Sequence, residues 1–126
     1  PYPVRSVCDG RYKFIINPEY RTLYRNILTY RVNPVHENQY WPEWLEQAEA
    51  DEQTRHLVER YLQRPAEELY DLENDPWEMN NRIDEPELRG VRDVLQGRLE
   101  AWMKQQGDDD PVATEMAAWE RRRSPE

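Results

Sequence analysis

The chain has 126 residues, a hydrophobic fraction of 37 %, a charged fraction of 34 % and a formal net charge of −9. That length makes one small domain with a modest core, and five Trp and eight Tyr offset the low apolar content because each ring buries a large area. The acidic balance argues against a generic nucleic-acid binder, and no apolar run is long enough to span a bilayer, so neither nucleic acid nor membrane is expected as a partner. The charge is uneven. Residues 1–33 carry six basic and two acidic side chains, while the rest carries eleven basic and twenty-four acidic ones. The sequence opens Pro1-Tyr2-Pro3 with no Met and no apolar leader, which reads as an excised domain. A single cysteine, Cys8, allows no internal disulfide and leaves the compartment open.

In chain order, Val4 to Cys8 and Arg11 to Asn17 read as two strands joined at Asp9-Gly10, a strong hairpin signal. Tyr12, Phe14 and Ile16 share one face of the second strand, which suits a sheet covered on one side. Cys8 reads as a buried thiol, a small hydrophobe in a strand. Leu23 to Val32 reads as an irregular strand or loop, because Ile27, Leu28, Thr29, Tyr30 and Val32 favour strands. Pro42 opens a helical run that reaches Leu62. Its apolar stripe shifts partway, so two short helices with a break near Ala50-Asp51 fit better than one long helix. Pro65 stops the second.

Glu68 to Leu72 reads as a late strand returning to the hairpin, followed by an acidic turn at Glu73-Asn74-Asp75-Pro76. Trp77 is expected beneath that turn. The last helix is the clearest element. Asp84 and Glu87 make a capping-box-like start, with Pro86 tolerated in the first turn. Leu88, Val91, Leu95, Leu99 and Trp102 recur at helical spacing, and Gly107 is a natural stop. Gly90, Gly97 and Ala101 project nearly opposite the stripe, so they are either simply exposed or approached closely by a second surface. The expected class is α+β: an antiparallel sheet of about four strands under a long C-terminal helix, with one or two shorter helices inserted before the last strand. Residues 1–107 form that domain. Residues 108–126 form an acidic breaker and charged tail, partly disordered or a short helix.

Three segments together resemble a known family. Glu68-Leu69-Tyr70-Asp71-Leu72, with Asp75, Pro76, Glu78 and Asn81, is similar to the E-L-Y-D-L-x-x-D-P-x-E-x-x-N-L pattern of the C-terminal subdomain of sulfatases. Arg5 to Ile15 resembles the sulfatase segment R-S-V-R-D-G-R-Y-K-Y-I, and Leu95 to Gly107 resembles the family's closing helix. Arg64-Pro65-Ala66 leads into the signature as R-P-A or R-P-E does in bacterial members. The likeness covers roughly half the chain and is nearest to the heparan N-sulfatase-like and arylsulfatase-like branches. One position departs: where the pattern has Leu after the last Asn, this chain has Arg82 and then Ile83.

The resemblance implies a parent enzyme that hydrolyses sulfate esters or sulfamates with formylglycine and calcium. It also implies an N-terminal catalytic domain of the same chain as partner, a sulfated small molecule or saccharide as substrate, and a periplasmic or secreted setting. Within the wider alkaline-phosphatase superfamily, the equivalent domain of a phosphoester or phosphonate hydrolase stays open. So does a non-catalytic module binding a glycan or a protein.

This chain carries no C-x-P-S-R motif, no H-x-H, no C-x-x-C and no G-x-S-x-G. No cofactor or metal is therefore expected in it, and catalysis is not expected from it alone. Asp71, Glu73, Asp75 and Glu78 lack calcium-loop spacing and read as turn and cap residues. The remaining candidates form a substrate rim: Arg21, Arg25 and Arg31, with Tyr20, Tyr24 and Tyr30 beside them and His36 further on. Arg forks match sulfate oxygens, and Tyr stacks on a sugar ring. The alternative for these residues is a surface strand whose arginines pair with the acidic remainder.

Overall fold

The computed structural model describes residues 2–24, 29 and 40–123. The chain divides into two compact units, Pro1–Glu19 with Pro65–Glu126, and Tyr20–Arg64.

The first unit holds the sheet. Strands β1 (Arg5–Cys8), β2 (Tyr12–Ile16) and β3 (Glu67–Asp71) form an antiparallel sheet in the order β1-β2-β3. Val7 pairs with Phe14, and Phe14 with Leu69, so these three side chains share one face. The α+β class expected from the pattern is the one observed. Three strands are present among the described residues, and most of the 23–32 stretch lies outside them.

The hairpin forms, but its loop is Gly10-Arg11 and not Asp9-Gly10. The register places Cys8 opposite Lys13, and the Asp9 N–H donates to Tyr12 O at 3.1 Å. The Asp9 carboxylate causes the shift by accepting from the backbone N–H groups of Arg11 (3.0 Å) and Tyr12 (2.8 Å), an Asx-turn that moves the bend one residue on. Gly10 then takes a φ of 104°, which only glycine adopts freely.

A 3₁₀ turn (Pro86–Leu88) leads into the long helix α3 (Arg89–Gln106), which lies on the Val7–Phe14–Leu69 face. The expected capping box does not form, since neither Glu85 nor Leu88 caps through a side chain. The start is instead closed by Leu88 N–H donating to Glu85 O at 3.1 Å, a 3₁₀ bond that satisfies an end donor without a cap. At the other end Gly107, with φ 70°, makes a Schellman stop: its N–H donates to Lys104 O and the Asp108 N–H to Met103 O.

Phe14, Leu69, Leu88, Leu95 and Leu99 form the core, with Ile83, Val91 and Met103 packed against it. Each large side chain buried this way contributes about 1.5–3 kcal/mol. Trp102 is not core, being 50 % exposed. The reason is helical drift. Leu95, Leu99 and Met103 form an i, i+4 row, and each step of the row turns about 40° past a full revolution. By the last turn Met103 faces the sheet, and Trp102 is about 100° away. Cys8 is likewise exposed, because the alternation that turns Val7 inward turns Cys8 outward. A Cβ at Gly90 or Gly97 would meet nothing within 4 Å, so among the described residues no surface approaches them closely.

The last described element is helix α4 (Pro111–Arg123). Arg5 ties it to the sheet, with Nε 2.5 Å from Asp108 and Nη1 3.3 Å from Glu115. Removing that tie with Arg5→Ala should raise amide exchange across α4 by about tenfold and leave the Phe14 and Leu69 amides protected. Unchanged exchange in α4 would show that other contacts hold it.

The second unit contains helices α1 (Tyr40–Ala50) and α2 (Glu52–Leu62), with the break at the expected place. Asp51 caps α2 by accepting from Thr54 N at 2.6 Å. That interaction also lowers the Asp51 pKa, through the Thr54 hydroxyl first and its N–H second. Ala48 and Val58 are the buried residues of this pair of helices.

Candidate functional site

The signature segment is β3 and the loop that follows it. Its polar residues hold the loop in shape. Asp71 ends β3 with 1 % exposure, and its carboxylate accepts from Arg11 at 2.8 and 3.2 Å, from Asn74 at 2.9 Å and from Arg82 at 3.4 Å. The Arg11 hydrogen bonds, ahead of the Asn74 bond, hold the Asp71 carboxyl well below the usual carboxylate range. Asp71 in turn raises Arg11. Arg82, the position that departs from the family pattern, mainly serves Glu85 at 2.5–2.9 Å, while Ile83 takes the apolar place against the core.

Asp75 closes the turn by accepting from Met79 N at 2.9 Å and Asn80 N at 2.7 Å. Glu78 adopts a φ of 55°, unusual for a side-chain-bearing residue, and its carboxylate pairs with Lys13 at 2.7 Å. Asn81 finishes the outer side of β3. Its Oδ1 accepts from Leu69 N at 2.9 Å and its Nδ2 donates to Glu67 O at 3.1 Å, while Arg82 N donates to Leu69 O at 2.8 Å. An edge strand is thereby capped by its own loop. On the face away from α3, Tyr70 donates to the buried Glu68, which also accepts from Asn17 Nδ2 at 2.6 Å. Trp77 does not pack beneath the turn: it is 82 % exposed. The turn is closed by the Asp75 carboxylate on the Met79 and Asn80 N–H groups, so it is held without an apolar side chain beneath it.

These acidic side chains are spent on pairing and capping. Among the described residues no cluster of His, Cys, Asp and Glu could hold a metal ion, and no helix is long and apolar enough to cross a membrane.

Of the rim candidates, Arg25, Tyr30, Arg31 and His36 lie outside the described residues. Arg21 lies over the ring of its neighbour Tyr20, 5.2 Å from the centroid. Tyr24 is joined to residues the sequence did not nominate. Its ring meets Tyr61 edge-on at 5.7 Å, Arg64 lies 5.2 Å from its centroid, and Tyr61 continues to Trp41 at 5.6 Å and Trp41 to Trp44 at 6.4 Å. The i, i+3 spacing of Trp41 and Trp44 was a visible signal for half of this aromatic row. The link to Tyr24 and Tyr61 runs across separate elements and has no local signature.

No protein-family model matches the chain. It is 33 % identical over 111 residues to an ulvan-active sulfatase of Formosa agariphila. The match covers 85 % of this chain and only 18 % of that relative, so the chain spans about a fifth of the relative's length. Over most of its length, then, the chain is similar to one part of a sulfatase, and the α+β sheet with its signature loop is what that part folds into here.

Proposed function

We propose that this chain is the C-terminal subdomain of a sulfatase, packing against the catalytic domain of the same polypeptide and shaping its substrate pocket. The similarity to an ulvan-active sulfatase over 85 % of the chain carries this reading. The signature residues support a structural share of the work, because Asp71, Asp75, Glu78 and Asn81 are all engaged in holding the β3 loop. Calcium and formylglycine belong to the catalytic domain in this reading, and sulfate-ester or sulfamate hydrolysis takes place there. The 126 residues by themselves should turn over no aryl sulfate with calcium added. Calcium-dependent turnover that a point mutation in this chain abolishes would overturn that.

The substrate, in this reading, is a sulfated saccharide met by the arginines between Arg21 and Arg31. Arg25→Ala with Arg31→Ala in the full-length enzyme should raise KM for a sulfated saccharide about tenfold and leave KM for a small aryl sulfate near the wild-type value. Contacts to remote parts of a substrate matter only when the substrate reaches them. Equal effects on both substrates would assign the arginines to structure. A coding sequence with neither a C-x-P-S-R motif nor its Ser counterpart alongside this chain would remove the sulfatase reading altogether.

A further inference from the structure

Among the described residues, Trp77 is the most exposed of the large apolar side chains, at 82 %. No hydrogen bond or ring contact engages it among the described residues. Exposed Pro76 precedes it, and Met79, two places on, is 42 % exposed. The backbone beneath is held from several sides. Asp75 accepts from Met79 N and Asn80 N, Glu78 N donates to Asp75 O at 3.0 Å, and Lys13 grips the Glu78 carboxylate at 2.7 Å. Glu78 itself sits at φ 55°, a conformation that persists only where the surroundings impose it. A rigid loop therefore presents an apolar crest to solvent, with Glu73, Asn74, Asn80 and Asn81 exposed on either side in sequence.

An apolar centre with a polar rim, its Trp carried on a held backbone, is the anatomy of a protein contact. A sulfated saccharide is a poor occupant, because the cations nearest the loop, Arg11, Lys13 and Arg82, are already paired with carboxylates of this chain. The matched region is only 18 % of its sulfatase relative, so most of that relative's chain lies outside the match and is long enough to supply a partner surface. We propose that the Pro76-Trp77-Met79 crest docks on the catalytic domain of the parent polypeptide, with the Trp77 indole entering an apolar pocket there. This inference rests on the sulfatase reading above and adds the contact by which the two parts are joined.

The test is oxidative footprinting of Trp77, read by mass spectrometry in the 126-residue chain and in the full-length polypeptide. The full-length protein should label Trp77 about tenfold more slowly, as expected of a Trp sealed from water at an interface centre. Trp77→Ala should leave the melting temperature of the 126-residue chain unchanged and speed proteolytic release of this fold from the full-length enzyme. Equal labelling in the two proteins overturns the proposal. Protection that grows with the concentration of the 126-residue chain overturns it in favour of self-association, and protection seen only with a sulfated oligosaccharide overturns it in favour of a ligand site. A coding sequence without a sulfatase catalytic region fails the family reading itself, an outcome separate from unprotected Trp77 in a genuine sulfatase.

Discussion

Replacing Leu95 by Ala should cost about 2–5 kcal/mol of unfolding free energy, the range for large-to-small changes in a packed core. Trp102→Ala, on the same helix and in the same apparent stripe, should cost under about 1 kcal/mol, as surface substitutions do. Leu95 is fully buried and packs with Phe14, Leu69, Leu88 and Leu99. The backbone on either side of it is fixed by helical hydrogen bonds and by the Schellman stop at Gly107. The site therefore has little freedom to collapse around the lost atoms, which places the cost in the upper part of the range. Trp102 is half exposed, so much of its ring is already in water. Urea unfolding followed at the Phe14 and Leu69 amides isolates the sheet unit from the helical one. Similar losses at both positions would put Trp102 back in the core. A loss below about 1 kcal/mol at Leu95 would mean that α3 does not seal the sheet.

The contrast between Leu95 and Trp102 shows what the sequence could and could not convey. Period and punctuation are local, and they located β1, β2, β3, the helix break at Asp51 and the stop at Gly107 to within a residue or two. Which edge of an apolar stripe meets the sheet is not local. It depends on where the last turn of α3 crosses β1 and β2, so five residues at helical spacing contained one that faces solvent. The hairpin bend lies one residue on for a similar reason: the turn propensity of Asp9 points to Asp9-Gly10, whereas its side chain competes for the N–H groups of Arg11 and Tyr12 and moves the bend.

The signature residues were legible as turn and cap groups, but their partners were not. Arg11 is 60 positions from Asp71, and Lys13 is 65 from Glu78. These pairs exist because β2 and β3 lie side by side. Trp77 is exposed, not beneath the turn, where backbone N–H groups donating to the Asp75 carboxylate hold the loop, contacts that composition does not announce.

Asp71→Asn should lower the melting temperature by several degrees near neutral pH, and that gap should narrow in acid. The Asp71 carboxyl sits well below its usual range because Arg11 donates two hydrogen bonds to it, with Asn74 adding another. A depressed folded pKa means that the unfolded chain takes up the proton first as pH falls. The stabilisation is therefore complete above about pH 5 and drains away below about pH 4, toward the lower value held in the folded state. The Asn variant keeps the shape and loses the charge at every pH, so its stability lacks that dependence. Arg11 remains half exposed and is rehydrated in the variant, which tempers the loss, whereas the buried amide left at position 71 has one acceptor oxygen for donors that a carboxylate met with two. Thermal melts of both proteins at pH 7, 5 and 3 read the difference directly. A gap that stays constant from pH 7 to pH 3 would show that the Arg11–Asp71 pair holds the β3 loop by shape and not by charge.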